Sequence, residues 1–149
     1  MKIIILSSDF IIREFFYDVC KKHGCEVRTY KCLEGKEKKI FEEKPNLILV
    51  DFQLFITRKD EIPAEDGGIE AIKKIEDLGK IIPTIFFHTD EVKNKFFVNY
   101  RERIKNLKSK PVDNSNLYEK YSALKIADTD QRIQRLCEQQ PAAINHTVP

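Results

Sequence analysis

Five short aliphatic or β-branched runs, which alternate with segments of helical periodicity, constrain the fold of this chain more than any other feature. This alternation is typical of a parallel sheet with helices on both of its faces. The first, third and fourth runs are continuous apolar strings, as expected for strands that are buried on both sides. We therefore predict an α/β fold with a doubly wound, five-stranded parallel sheet. The predicted strands are Lys2 to Ser7, Glu26 to Tyr30, Asn46 to Val50, Ile82 to His88 and Ile104 to Lys108.

The predicted helices lie between these runs. Apolar residues recur at steps of three and four from Ile12 to Cys20, and Gly24 follows them as a stop signal, so an amphipathic helix is expected there. Further helices are predicted over residues 33–43, after the Asp66-Gly67-Gly68 sequence, over residues 91–103, and from Asp113 onward.

Length and composition set the limits on domain number and partners. A chain of 149 residues with 42% hydrophobic residues can bury one core, which we place in residues 1–126, with a helical extension and frayed tail over 127–149. The 26 basic and 24 acidic residues nearly cancel, so neither nucleic acid nor a membrane surface is expected as a partner. The apolar runs fall far below the roughly 20 residues that span a bilayer. With no leader-like segment at the start, a cytoplasmic location is expected, with the four cysteines reduced.

Chemically useful side chains follow four of the five predicted strands. In an open parallel sheet such groups meet at the carboxyl edge. Two carboxylates and a strand-end carbonyl offer the oxygen ligands that Mg²⁺ prefers, and a lysine can neutralise a phosphoryl group in transit. These residues therefore predict phosphoryl transfer, with Asp51 as the nucleophile. The strand-end groups are Ser7-Ser8-Asp9, Asp51, His88-Thr89 and Lys110-Pro111.

The order and placement of these groups resemble the receiver domain of response regulators in two-component signalling. The resemblance covers residues 1–126 and implies the strand order 2-1-3-4-5. It implies that Asp51 is the phosphoacceptor, that Asp9 binds the metal, and that Lys110 contacts the phosphoryl group. Gln53 matches the position whose backbone carbonyl completes the metal site. Asp66-Gly67 resembles the start of the sequence that opens the family's third helix.

The same resemblance implies a function. We expect Mg²⁺ as cofactor, a histidine kinase or phosphotransfer protein as phosphoryl donor, and output through protein contacts with a target that the sequence does not identify. The chain is then a phosphorelay signalling protein with at most self-catalysed phosphoryl transfer and dephosphorylation, and no enzyme in the ordinary sense.

Four features depart from the family pattern. Ser8 stands where a second acid is usual, so it is expected to reach the metal only weakly, through a water. His88 stands at the usual hydroxyl position and Thr89 one residue later, so either is a candidate switch residue. The segment 52–65 is longer than the family's usual loop, and Leu107 stands where an aromatic residue is common.

These departures leave alternatives open. A pseudo-receiver would keep the fold as a binding scaffold without being phosphorylated. Asp9 is also a good helix N-cap, and Asp51 could simply open a loop. A flavodoxin-like redox protein or an aspartyl phosphatase fits less well, because the first strand end lacks glycines and no second acid follows Asp51. A homodimer through the last two helices is a further hypothesis, based on apolar Ile133 and Leu136 in the tail.

Overall fold

A computed structural model describes residues 1–87, 107, 131, 133–135, 137 and 138 of the chain. Within them, four parallel strands form one sheet in the order β2-β1-β3-β4, and three helices connect them. The predicted α/β fold is confirmed, and the described strands follow the predicted order. The elements are β1 (Lys2–Leu6), α1 (Phe10–Lys22), β2 (Glu26–Tyr30), α2 (Glu37–Glu43), β3 (Leu47–Asp51), α3 (Gly67–Asp77) and β4 (Thr84–Phe87).

The two inner strands β1 and β3 carry the core, as their unbroken apolar sequences predict. Ile4 of β1 is paired with Ile48 of β3, and both side chains are fully buried on the face that α2 and α3 cover. Their neighbours Ile3 and Leu49 point to the other face and pack with residues of α1. This alternation follows from the two-residue period of a strand, so each strand serves both layers of core.

Several predicted boundaries differ from the observed ones. The third strand continues to Asp51, which is paired with Phe87 of β4. The fourth strand begins at Thr84, because Pro83 has no N–H to donate to the sheet. The second helix begins at Glu37, since the residues before it form a turn in which Gly35 has a φ of 75°.

Part of the C-terminal segment packs on the α1 face. Residues 131, 133–135, 137 and 138 are helical, and Ile133 is fully buried in the core cluster that contains Ile3 and Phe16. Ile133 is therefore covered by its own chain and gives no support to the predicted homodimer, which stays a prediction. Leu136 lies outside the described residues, and the division at residues 126 and 127 stays a prediction.

The predicted fifth strand and the helices over 91–103 and from Asp113 also lie outside the described residues, except for Leu107. Leu107 is buried in the same cluster as Phe52 and Ile72. Among the described helices, none is long and apolar enough to cross a membrane.

The segment 52–65 is folded onto the sheet edge. Leu54 and Ala64 form an antiparallel bridge, and Phe55 pairs with Cys32 in the connection between β2 and α2. At the tip, the Asp60 carboxylate accepts hydrogen bonds from the backbone N–H groups of Ile56 and Thr57, at 3.0 and 2.9 Å. The long segment thus forms a small hairpin, with a backbone bridge at its base and side-chain hydrogen bonds within its tip.

Candidate functional site

The carboxyl edge of the sheet brings the ends of β1 and β3 together. Leu6 is paired with Val50, so the next residues along the two strands, Ser7 and Asp51, lie side by side. The hydroxyl of Ser7 donates to Asp51 Oδ2 at 3.3 Å, and both side chains are buried. The predicted meeting of strand-end groups at this edge is found for these two residues.

Asp51 is held at the end of a central strand with 5% of its surface exposed. Its Oδ1 accepts a hydrogen bond from the backbone N–H of Gln53 at 3.0 Å. A carboxylate at such a position loses solvation, and each hydrogen bond to its oxygens offsets part of that cost. The described contacts thus help to fix the direction of the carboxylate.

Ser7 is predicted to stand at the strand end but is given no role in the reaction, although its hydroxyl contacts Asp51. Its Oγ also accepts the backbone N–H of Asp9 at 3.2 Å, and its carbonyl accepts from Arg13 at 2.6 Å. The sequence held one signal for this role: Ser7 is the first residue after the strand adjacent to β3. Only the register between the two strands turns that position into a contact.

Asp9 acts as the N-cap of α1. Its Oδ1 accepts from the backbone N–H groups of Ile11 at 2.9 Å and Ile12 at 3.3 Å, which satisfies two of the free N–H groups at the helix start. The side chain is exposed, and Oδ2 accepts no bond from the described residues. The capping role that the sequence left open is confirmed, and metal binding by Asp9 stays a prediction.

Ser8 holds the long hairpin. Its Oγ accepts the backbone N–H of Phe55 at 2.9 Å, which ties segment 52–65 to the end of β1. This contact gives Ser8 a structural role that the prediction of a water-mediated metal ligand did not include. A hydroxyl that accepts one N–H keeps its own proton and a second lone pair, so the predicted role is chemically compatible with the observed one.

Two glycines let α3 approach the backbone beside Asp51. A Cβ on Gly68 would overlap the carbonyl oxygen of Asp51, and a Cβ on Gly67 would overlap that of Leu54. The N–H of Gly68 donates to the carbonyl of Phe52 at 3.0 Å. The predicted start of the third helix, after these glycines, is therefore late by two residues: both glycines belong to its first turn and are needed for this close packing.

The remaining predicted site residues, His88, Thr89 and Lys110, lie outside the described residues. Gln53 is described by its N–H bond to Asp51, and the metal-binding role of its carbonyl stays a prediction. Within the described part of the chain, no three His, Cys, Asp or Glu side chains gather closely enough to hold a metal ion.

Comparisons with known proteins agree with this fold. No protein-family model matches the sequence, and no curated protein matches it significantly. Solved structures do match. The receiver domain of a Francisella response regulator is 16% identical, with 93% of this chain and 98% of that chain aligned and a TM-score of 0.63. The chain has the receiver-domain fold.

Two further receiver domains give the same result. One from Clostridium thermocellum is 12% identical, with 95% of this chain and 98% of that one aligned and a TM-score of 0.61. One from Methanospirillum hungatei is 18% identical, with coverages of 95% and 97% and a TM-score of 0.59. At such low identities the structural similarity establishes the receiver fold, and the chemistry of the site has to be argued from this chain's own residues.

Proposed function

We propose that this chain accepts a phosphoryl group on Asp51 from a histidine kinase or a phosphotransfer protein and passes the signal on through protein contacts. The observation that supports this function is the position of the Asp51 carboxylate. It ends a central strand of a receiver fold, it is buried, and its two oxygens have different partners.

The two oxygens of this carboxylate differ in their described contacts. Oδ1 accepts the Gln53 N–H at 3.0 Å, and the 3.3 Å contact of Oδ2 with the Ser7 hydroxyl is long for an O–H···O bond. In the reaction a bond forms between a carboxylate oxygen of Asp51 and phosphorus, and the P–N bond of a phosphohistidine breaks, with its electron pair kept by the donor imidazole. Lys110, with Thr89 or His88, is proposed to contact the phosphoryl oxygens.

Mg²⁺ is the proposed cofactor, and the donors present fit it in part. Asp51, Oδ2 of Asp9 and the carbonyl of Gln53 would all be oxygen ligands, as this hard cation requires, and Ser8 would add only a weak contact through water. The bound ion would neutralise charge on the phosphoryl oxygens. Because Ser8 replaces an acid, we expect weaker metal binding than a pair of acids would give.

The test is phosphorylation by a small donor. Incubation of the full chain with acetyl phosphate and Mg²⁺ is expected to add one phosphoryl group, seen as a mass increase in intact-protein mass spectrometry. Asp51→Asn should abolish it, because an amide oxygen is a poor nucleophile and the product would lack an acyl phosphate. Asp60→Asn is a matched control at an acid of the neighbouring hairpin and should leave the labelling intact. A label that survives Asp51→Asn would contradict the proposal.

A pseudo-receiver is the second candidate, and the Ser8 contact favours it. In this candidate the hydroxyl at the position of the missing acid serves to hold the hairpin, and the fold acts as a phosphorylation-independent binding scaffold. A titration with Mg²⁺ followed by amide chemical shifts separates the two. Shifts at Asp9, Asp51 and Gln53 at millimolar metal are expected for the phosphoacceptor, whereas their absence together with absent labelling would favour the scaffold.

A further inference from the structure

Three of the four cysteines lie on the α1 face of the sheet, far in sequence from one another. Cys20 is in α1, Cys25 directly precedes β2, and Cys137 is in the C-terminal helical segment. All are free thiols. The Sγ atoms of Cys25 and Cys137 are 3.4 Å apart, although the residues are 112 positions apart in the chain.

We propose that Cys25 and Cys137 form a reversible disulfide that fastens the C-terminal helical segment to the start of β2. The sulfur atoms need to approach by roughly 1.4 Å to reach the length of about 2.05 Å of a disulfide bond. Side-chain rotation can supply most of a movement of this size. Cys25 directly precedes β2, whereas Asp51 ends β3, so the two residues lie at opposite edges of the parallel sheet. The proposed disulfide does not depend on phosphorylation.

The surroundings hold both sulfurs in place. Ile133 lies one helical turn before Cys137, on the same side of the helix, and is fully buried in the core. The backbone N–H of Cys25 donates to the carbonyl of Cys20 at 3.1 Å, which fixes the turn between α1 and β2. Cys25 is 3% exposed and Cys137 is half-buried, so an oxidant reaches Cys137 first.

The oxidation requires a two-electron oxidant, and a peroxide supplies it. The Cys137 sulfur attacks hydrogen peroxide, its O–O bond breaks, and a sulfenic acid and one water form. The Cys25 sulfur then attacks the sulfenic sulfur, so that the S–S bond forms, the S–O bond breaks and a second water leaves. Both thiol hydrogens and both peroxide oxygens end in water.

The second step depends on proximity. Burial, with the neighbouring Cys137, raises the pKa of Cys25 to about 12, so this thiol reacts slowly with reagents from solution. Contact with the sulfenic acid offsets this, because a neighbouring group within one molecule acts at a very high effective concentration. Cys20 is fully buried and its thiol pKa is raised by burial, so we exclude it as the partner.

The experiment treats the full-length chain with hydrogen peroxide at low protein concentration and compares it with a sample kept in dithiothreitol. The expected result is a monomer that has lost the mass of two hydrogen atoms and yields one cross-linked peptide pair, Cys25 with Cys137. The bond should raise the midpoint of thermal unfolding by on the order of 10 °C, since it closes a very long loop. Dithiothreitol should reverse both changes.

Variants supply the controls. Cys137→Ala should abolish the cross-link and the thermal shift, whereas Cys32→Ala, which alters a buried cysteine outside this cluster, should keep both. Asp51→Asn should form the bond as the wild type does, which separates this test from that of phosphorylation. The proposal is overturned if the peptide map pairs Cys20 with either thiol, if Cys137 joins two copies, or if Cys137 is oxidised to a sulfinic acid with no bridge.

Discussion

The two connections that carry acids at the carboxyl edge are built in opposite ways. The β1–α1 connection is three residues long, and it exposes Asp9, whose carboxylate bonds to the start of the following helix. The β3–α3 connection is long, and Asp51, the last residue of β3 before it, is buried and bonded both to the Gln53 N–H and across the sheet to Ser7. The described contacts of Asp9 are therefore local, whereas those of Asp51 also depend on packing and strand register.

An aspartate after a strand can be present for a structural reason or for a functional one, and the two acids differ in this respect. Asp9 has a sufficient structural reason to be present, because capping alone stabilises α1 by about 1 kcal/mol. Asp51 also makes a local bond with the Gln53 N–H, but it is buried, and burying a carboxylate costs free energy that its hydrogen bonds only partly offset. A costly buried acid at the edge of a receiver fold is therefore the stronger functional candidate of the two.

The largest effect on stability is expected from Gly68→Ala, which disturbs the packing of the start of α3, after the long connection, against the end of β3. Alanine ordinarily stabilises a helix by about 1 kcal/mol relative to glycine. Here its Cβ would overlap the Asp51 carbonyl oxygen, which belongs to a central strand and cannot move freely. Overpacking costs about 1–3 kcal/mol or more, so we expect a net loss of about 2 kcal/mol in the free energy of unfolding, measured with urea.

A matched control is Lys73→Ala, at an exposed position of the same helix, which should change that free energy by less than about 0.5 kcal/mol. Equal stability of Gly68→Ala and the wild type would mean that α3 does not rest against the end of β3. It would also remove the packing argument that separates Asp51 from Asp9.

The fold could be predicted from the sequence because its signals are repeated along the chain. Buried strands such as β1 and β3 are recognised from continuous apolar letters, and the α1 stripe from its spacing. Asp51 and Asp9 could be placed at the same edge because every parallel strand ends there.

The contacts within the site could not be predicted, because they depend on register and on close approach. Ser7 contacts Asp51 only because Leu6 is paired with Val50. Gly68 is required by the carbonyl oxygen of Asp51, seventeen residues earlier in the chain, and Cys25 and Cys137 are close in space although most of the sequence lies between them. Such long-range relations leave no local pattern that single-sequence reasoning can detect.

A smaller effect is expected at the short connection, from two substitutions of Asp9. Asp9→Ala removes the cap and should lower the free energy of unfolding by about 1 kcal/mol, whereas Asp9→Asn keeps a capping oxygen and should cost only a few tenths. Urea unfolding measures both. If Asp9 also binds Mg²⁺, both variants should weaken Mg²⁺-dependent labelling of Asp51 equally, since each lacks the carboxylate. If labelling is weakened in Asp9→Ala and not in Asp9→Asn, in parallel with their stabilities, Asp9 has the capping role alone.

The smallest effect is expected at the tip of the long connection, when the pH is lowered. Hydrogen bonds from the N–H and the hydroxyl of Thr57, together with one from the N–H of Ile56, hold the pKa of Asp60 below its usual range. A depressed carboxyl pKa contributes stability that is present above the unfolded value of about 3.9 and is lost as the pH falls through the folded value. Amide chemical shifts of Ile56 and Thr57 should therefore be constant near neutral pH and move only in strong acid.

Asp60→Asn should abolish that titration, and Glu61→Gln, at an exposed acid next to it, should leave it unchanged. A tip that titrates identically in Asp60→Asn would mean that the hairpin is held by its Ser8 contact and its base alone.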